Sequence, residues 1–445
     1  MFAVSCDAVT EAQNVALQEK HHKSGVKLIY VQLNSPTKHV QNHPIEFESM
    51  LSRGSDIIVS CPNNTLLHLA ELPFNPTQHG LPHNVENSEK VPLADTIKFG
   101  IATLSLETPL RSLISQITQQ DGQPPLCIIS DLVFGWVNNV SKSCGISNIT
   151  FTTSNAYGTL AYFSVLLNLP HRKTESNEFS VPGFPQNYKF QRSQLHKHIR
   201  EANGNDGWSK FFNTQFELSM SSKGWICNTV EEIEPLGLQL LRKYIDLPVW
   251  TIGPLLLPTT LKGCNSEQQS NFIKTCIEWL DLKYESSVLY ICFGSESSIS
   301  TSQMIALAEG LEGSGKEFIW VIRPPFGFDM SGEFKEEWLP RGFEERMRDS
   351  KKGLLVHKWG PQLEILSHRS TGVCVELTRS VESVVTKEEV KKVIELVMDQ
   401  EGKGKEMKEK ANEIAIHMKE AKTEKGGVKG SSLRSMHDFV RTILS

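Results

Sequence analysis

Several residues of this chain could do chemistry if each stands at the end of a strand. Asp131 directly follows the apolar run Leu126-Cys127-Ile128-Ile129-Ser130. A carboxylate there could polarise a histidine base, or cap the helix expected next. Gly294 and Ser295 follow the run Val288–Phe293. Their backbone N–H groups and the Ser295 hydroxyl could hold a phosphate, though a plain strand-to-helix turn uses the same residue types. Trp359 stands just past a run ending at His357, beside Gly360, Pro361 and Gln362. An exposed indole there could stack on a flat base; a lone tryptophan also serves as core. Neither GxGxxG nor GxxxxGK[ST] occurs, so dinucleotide and P-loop sites have no support.

These positions gain meaning only if strands and helices alternate. Lys27–Leu33, Leu126–Ser130, Ile149–Thr152 and Gly224–Asn228 read as strands of the first half. Thr65–Leu72 reads as a strand or a short helix. Helical patterns cover about Leu93–Gln119 and Trp136–Ser143. Past Pro248 the texture turns polar, and Gly263–Ser270 is the best linker segment. Then alternation restarts: strand Val288–Phe293, helix Ser302–Gly313, strands Phe318–Ile322 and Gly353–His357, and a helix from Pro361 through His368. Such alternation predicts an α/β chain with parallel sheets covered by helices on both faces. The expected division is residues 1–250, a linker at 251–275, a second domain at 276–430, and a helix at 431–445 returning to the first domain. Ligands of such sheets bind beyond the carboxyl ends of the strands.

Composition narrows the partners. The chain has 445 residues, enough for two cores, with 39% hydrophobic residues, 22% charged residues and net charge −5. That balance gives no electrostatic case for nucleic acid or an anionic membrane. The nine cysteines form no CxxC pair and read as reduced, buried thiols. Asn63, Asn139 and Asn148 head sequons, but the opening residues have neither a basic stretch nor an apolar core of a secretory signal. No window reaches the length of a membrane span. A cytoplasmic monomer without a membrane span is expected.

Longer stretches make the isolated signals specific. They include Gly80-Leu81-Pro82, Pro125–Asp131, Val181-Pro182-Gly183-Phe184-Pro185, Asn228–Glu234, Ile252-Gly253-Pro254-Leu255, Tyr290–Ser295 and Lys358–His368. Over nearly its whole length the chain resembles the plant UDP-dependent glycosyltransferases. The resemblance implies two facing Rossmann-like domains, the GT-B arrangement. It implies transfer of a sugar, usually glucose, from UDP-glucose or another UDP-sugar to a hydroxyl of a small lipophilic acceptor, with inversion. No cofactor or metal is implied, because the UDP-sugar is a co-substrate. Trp359 would stack on uracil, the Gly360 backbone would bond the uracil edge, Gln362 would face the ribose and Ser295 would approach the phosphates. Asp131 would orient the catalytic histidine.

The chain departs from that pattern twice. The family's Phe-Xaa-Xaa-Gln-Gly-His segment has no counterpart near the amino end, and His21 and His22 fall at the far end of the first expected helix. The donor signature stops near Gly372 and runs into Val373-Cys374-Val375-Glu376-Leu377. About forty residues of the family pattern are missing there, including a phosphate-binding His, an Asn-Ser pair, a ribose Glu and a closing acid-amide pair. His368 matches the end of the Gln362 helix, not the phosphate ligand. The second sheet is therefore expected to be incomplete and to expose apolar surface. Two readings follow: a transferase with weak turnover, or a non-catalytic binder of small molecules.

Overall fold

Strands such as Gly224–Cys227 and Glu317–Ile322, apolar on both faces, and helices with one buried stripe build two units from this chain. The computed structural model describes residues 28–34, 58–61, 65–83, 85, 91, 95–255, 267–293, 298–329, 332–371 and 384–444. The first unit takes residues 1–263 with 416–445, and the second takes 264–415.

In the first unit, β1 (Leu28–Asn34), β2 (Ile58–Cys61) and β3 (Thr65–Pro73) form one sheet in the order β1-β3-β2. β1 and β3 are parallel, whereas β2 and β3 pair antiparallel. Thr65–Leu72 is thus strand and not helix. The pattern at 93–119 becomes α1 (Thr96–Ala102) and α2 (Glu107–Asp121), separated by the 3-10 turn Thr103–Leu106. A second sheet is parallel throughout: β4 (Cys127–Asp131), β5 (Ser147–Thr152), β6 (Gly224–Cys227) and β7 (Val249–Thr251), in that order. α3 (Val137–Ser143), α4 (Ala156–Asn168), α5 (Gly207–Ser219) and α6 (Pro235–Ile245) connect its strands.

Both faces of that sheet are covered. Trp225 and Cys227 pack with Leu160, Phe163, Phe216 and Leu241 on one face. The intervening Ile226 joins Ile149, Phe151 and Trp250 on the other. There the C-terminal helix α13 (Ser431–Leu444) supplies Met436, Phe439, Val440 and Ile443. The Trp250 and Phe439 rings meet edge to face at 5.3 Å. The Thr251 N–H donates to Ser435 Oγ at 2.8 Å, and Ser432 Oγ donates to the Gly253 carbonyl at 2.7 Å.

The second unit holds β8 (Val288–Ile291), β9 (Glu317–Ile322) and β10 (Gly353–His357), parallel and ordered β8-β9-β10. On the free side of β8, Val288 bridges Thr371 in parallel. The described sheet ends there, because residues 372–383, including the Gly372–Val373 join, lie outside the described residues. Leu363, Leu366, Val384 and Leu396 are exposed apolar side chains of this unit. α7 (Glu267–Asp281) and α8 (Thr301–Ser314) precede and follow β8, and α9 (Phe343–Asp349) precedes β10. α10 (Gln362–Leu366) follows β10, and α11 (Lys387–Val397) packs on α8, with Val390 against Gly310. At the amino edge of the sheet, buried Lys283 Nζ reaches Glu317 Oε1 at 2.7 Å and the Lys351 carbonyl at 2.6 Å, above the Trp279 ring.

Two boundaries differ from the sequence expectation. Residues 251–275 are not one linker: Thr251 closes β7, and 267–275 are the first turns of α7. Glu267 to Thr275 looked polar, yet Gln and Glu are good helix formers, and Cys276 and Leu280 give the helix a fully buried stripe. The second unit also ends at 415 and not 430. The divide falls inside α12 (Lys403–Ala421). Ala421 is already buried, and Lys422 Nζ donates to the Pro254 carbonyl at 3.0 Å.

Within Asn228–Glu234, the last residue has a structural task. Glu234 is 5% exposed, and its two oxygens accept the Ala156 N–H at 2.8 Å and the Tyr157 N–H at 3.0 Å. The carboxylate satisfies donors at the start of α4 where the helix dipole favours negative charge. Glu234→Ala should lower stability by about 3–6 kcal/mol, from two charge-assisted bonds at ~1.5–3 kcal/mol each. Glu234→Gln should lose less, and denaturant unfolding midpoints measure both.

His171 is wholly buried beside Phe179. Burial first, then the Arg172 and Arg192 charges, hold its pKa below the ordinary imidazole value. Both states are neutral above the unfolded pKa. As pH falls through about 6.5, the unfolded chain takes up a proton that the folded ring refuses. His171→Gln should therefore lose less stability than the wild type between pH 7.5 and 5.5, read from unfolding midpoints at each pH.

Candidate functional site

In the second unit, the chain steps from β8 to β9 to β10 and then returns to the far side of β8 at Thr371. Its strand order therefore reverses at β8, and such a switch point opens a crevice at the carboxyl end of the sheet. A small recess lies at that end, lined by Phe293, Ser298, Met304, Trp320, Ile322 and Arg323. Ser298 Oγ donates to the Pro324 carbonyl at 2.8 Å. Ser300 then starts α8 with a reciprocal cap to Gln303. Gly294 and Ser295 lie outside the described residues.

The turn after β10 carries the other expected residues. Lys358 takes φ +70°, and its N–H donates to the Ile322 carbonyl at 3.0 Å, which keeps the turn against β9. Gly360 is buried, and a Cβ there would stand 2.7 Å from Val321 Cγ2 and 3.4 Å from Val356 Cγ1. Only a residue without a side chain fits that approach. Pro361 is buried next to it, and the Gln362 N–H donates to the Gly360 carbonyl at 2.8 Å. One turn later, Ile365 is fully buried among Val288, Val321 and Val356. With Gly360 and Ile365 held inward, Trp359 projects outward and is 48% exposed. The choice between core and surface tryptophan is thus settled for the surface. Gln362 is exposed on the first turn of α10. The turn brings Trp359, Gly360 and Gln362 together at the carboxyl end of β10.

His368 does not join them. Its Nε2 lies 3.2 Å from Asp281 Oδ1, and its Nδ1 accepts the Ser370 N–H at 3.2 Å. Ser370 in turn donates to the Leu280 carbonyl at 3.0 Å, and its own carbonyl accepts the Val288 N–H. These contacts sit at the amino end of β8, the opposite edge of the sheet from Trp359. The imidazole is a brace between α7 and the segment after α10.

Asp131 belongs to the first unit and ends β4. It does not cap the next helix, since α3 starts at Val137 with Trp136 at its N-cap. Instead Asp131 Oδ1 accepts the Val133 N–H at 3.0 Å, closing an Asx turn. Burial pushes its carboxyl above the ordinary carboxylate range, and the Val133 bond works against that rise. His21 and His22 lie outside the described residues.

Sequence reasoning missed Phe293 and Arg323 as lining of the recess. Arg323 directly follows the run Phe318–Ile322, so the rule that singled out Asp131 would have found it; Phe293 was read as the last residue of its strand, which ends at Ile291.

No protein-family model matches the chain. Curated relatives do. UDP-glycosyltransferase 92A1 of Arabidopsis thaliana is 35% identical over 423 residues, covering 85% of each chain. Crocetin glucosyltransferase 3 of Crocus sativus is 38% identical over 351 residues, covering 75% of this chain and 72% of its own. Among solved structures, Glycyrrhiza uralensis UGT73P12 complexed with glycyrrhetinic acid 3-O-monoglucuronide superposes with TM-score 0.73 at 21% identity, over 100% of this chain and 94% of its own. Medicago truncatula UGT71G1 complexed with UDP-glucose gives TM-score 0.73 at 19% identity, over 99% of this chain and 95% of its own. The α/β fold is that of these structures.

The turn makes a stability prediction. Gly360→Ala should cost about 1–3 kcal/mol, because Val321 is core and has nowhere to move. Trp359→Ala should stay within about 0.5 kcal/mol, as for a surface change. Thermal unfolding of the two variants beside the wild type measures the contrast.

Proposed function

Because the chain belongs to the UDP-glycosyltransferase family, we propose that it holds a UDP-sugar, UDP-glucose foremost, on the turn after β10. It passes the sugar, with inversion, to a hydroxyl of a small lipophilic acceptor. The observation that carries this reading is the half-exposed indole of Trp359 beside a Gly360 packed too closely on Val321 to admit a Cβ. A flat aromatic face fixed at a sheet's carboxyl end suits a flat base. In this reading Trp359 stacks on uracil, the Gly360 backbone meets the uracil edge, and Gln362 faces the ribose. Ser295 approaches the phosphates, and Asp131 serves the acceptor side. No further cofactor takes part. UDP is the leaving group, so the donor already carries the activation that transfer needs.

The relatives' names point the same way: one is a crocetin glucosyltransferase, and one solved neighbour holds UDP-glucose. The working form proposed is a cytoplasmic monomer that binds no nucleic acid. Among the described residues, no helix is long and apolar enough to cross a membrane.

Turnover is proposed to be slow. The donor signature stops near Gly372, so part of the family's phosphate and sugar contacts is absent from this chain. Lost positioning lowers the rate without abolishing nucleoside affinity. The same break supports the second reading, a binder without turnover. One experiment separates them: purified protein with UDP-glucose and a panel of phenolic and terpenoid alcohols, assayed beside a heat-killed control. The transferase reading expects glycoside above that control; UDP binding with no product leaves the binder. Trp359→Ala should weaken UDP by about 1–3 kcal/mol, the value of one base–aromatic stack. Unchanged affinity on calorimetric titration contradicts the site.

A further inference from the structure

We propose that Arg323 and Lys358, two cations on adjacent strand ends of the second unit, hold the diphosphate of the donor in this chain. This rests on the nucleoside reading of Trp359 above and deepens it.

The backbone sets the pair side by side. β9 and β10 run parallel with Ile322 opposite His357, so the next residues, Arg323 and Lys358, leave the sheet together at its carboxyl end. The Lys358 N–H donates to the Ile322 carbonyl at 3.0 Å and ties the two exits to each other. The chain past Arg323 is tied from the other side. Ser298 Oγ donates to the Pro324 carbonyl at 2.8 Å, and the Phe326 N–H donates to the Ile299 carbonyl at 2.8 Å. Arg323 thus lines the recess with Phe293, Ser298 and Met304 at the end of the sheet where ligands of such folds bind. A guanidinium there can meet two phosphate oxygens at once.

Lys358 adds two observations. Its φ is +70°, a left-handed conformation that a Cβ makes costly. Leu169 and Asp246 take similar angles as helix C-caps, where that conformation closes the helix. Lys358 stands instead at a strand end, and such strain gathers at ligand sites. Its side chain is the second observation. Among the described residues, the ammonium has no hydrogen-bond or ion-pair partner. Glu344, a carboxylate at the same edge, is taken by His357 Nε2 at 3.2 Å. The ammonium is exposed, directly before Trp359.

Chemistry selects the ligand. A uracil on Trp359 brings its diphosphate to the same strand ends, and a diphosphate calls for fixed positive charge. The donor signature stops near Gly372, and the family's phosphate-binding His is absent from this chain with it. Arg323 and Lys358 supply the charge in its place.

The test titrates the full chain with UDP, uridine and inorganic pyrophosphate. Arg323→Gln should weaken UDP about 10–100-fold, the value of a lost charge-assisted bond. Uridine should stay within about threefold, since it has no phosphate to lose. Arg323→Lys keeps the charge and should recover part of the loss. Lys358→Asn tolerates the left-handed angle without the charge. It should weaken UDP about two- to fivefold, as for an exposed ion pair, while its unfolding midpoint holds or rises. Pyrophosphate should displace UDP from the wild type and far less from the double variant. Added salt should weaken UDP more steeply in the wild type than in the double variant. A double variant that binds UDP within about threefold of the wild type overturns the proposal. So does a loss shared equally by uridine at an unchanged unfolding midpoint. Should Arg323→Gln fold poorly, Arg323→Lys and Lys358→Asn decide the question by the same ratio of UDP to uridine. Failure of the nucleoside reading looks different: Trp359→Ala then leaves uridine affinity unchanged.

Discussion

The contact between Gly360 and Val321 governs the candidate site. At that point the chain leaving β10 comes so close to β9 that no Cβ fits, at 2.7 Å from Val321 Cγ2. Main chain at 360 is thereby pressed into the sheet, and Ile365 is drawn into the same core one turn later. Between and around these anchors the polar and aromatic side chains have only the outward direction left. Trp359 is exposed because its neighbours are buried.

The rest of the second unit supports that arrangement. Lys283, Glu317 and the Lys351 carbonyl pin the amino edge of the sheet, and His368 with Asp281 and Ser370 braces the segment between α10 and β8 there. These polar contacts lie at the edge opposite Trp359. The first unit follows similar logic in different materials. Glu234 caps α4 from a distant loop, and α13 closes the second face of the sheet over Trp250. In the same unit the Asp131 carboxyl accepts the Val133 N–H and so closes the turn after β4.

Much of this architecture was legible in the residues. The runs Val288–Phe293, Phe318–Ile322 and Gly353–His357 read as strands, and each is one, the first ending two residues early at Ile291. Position after a strand singled out Asp131 and Trp359 correctly as strand-end residues. What stayed hidden was non-local. Whether Trp359 lay inside or outside depended on Val321, which is far away in sequence. Whether Asp131 capped a helix depended on where α3 began, and five residues intervened before Val137. Gln268 to Thr275 misled because polarity marks a solvated helix face as readily as a linker; only Cys276 and Leu280, beyond the segment, reveal the stripe. The unit boundary inside α12 was invisible because a continuous helix gives no break in pattern.

A crystal structure of the chain with UDP tests the account at its centre. It predicts the uracil ring lying flat on the Trp359 indole, with its edge at the Gly360 backbone. Uracil bound elsewhere, or an indole turned away from an occupied nucleotide, would contradict it.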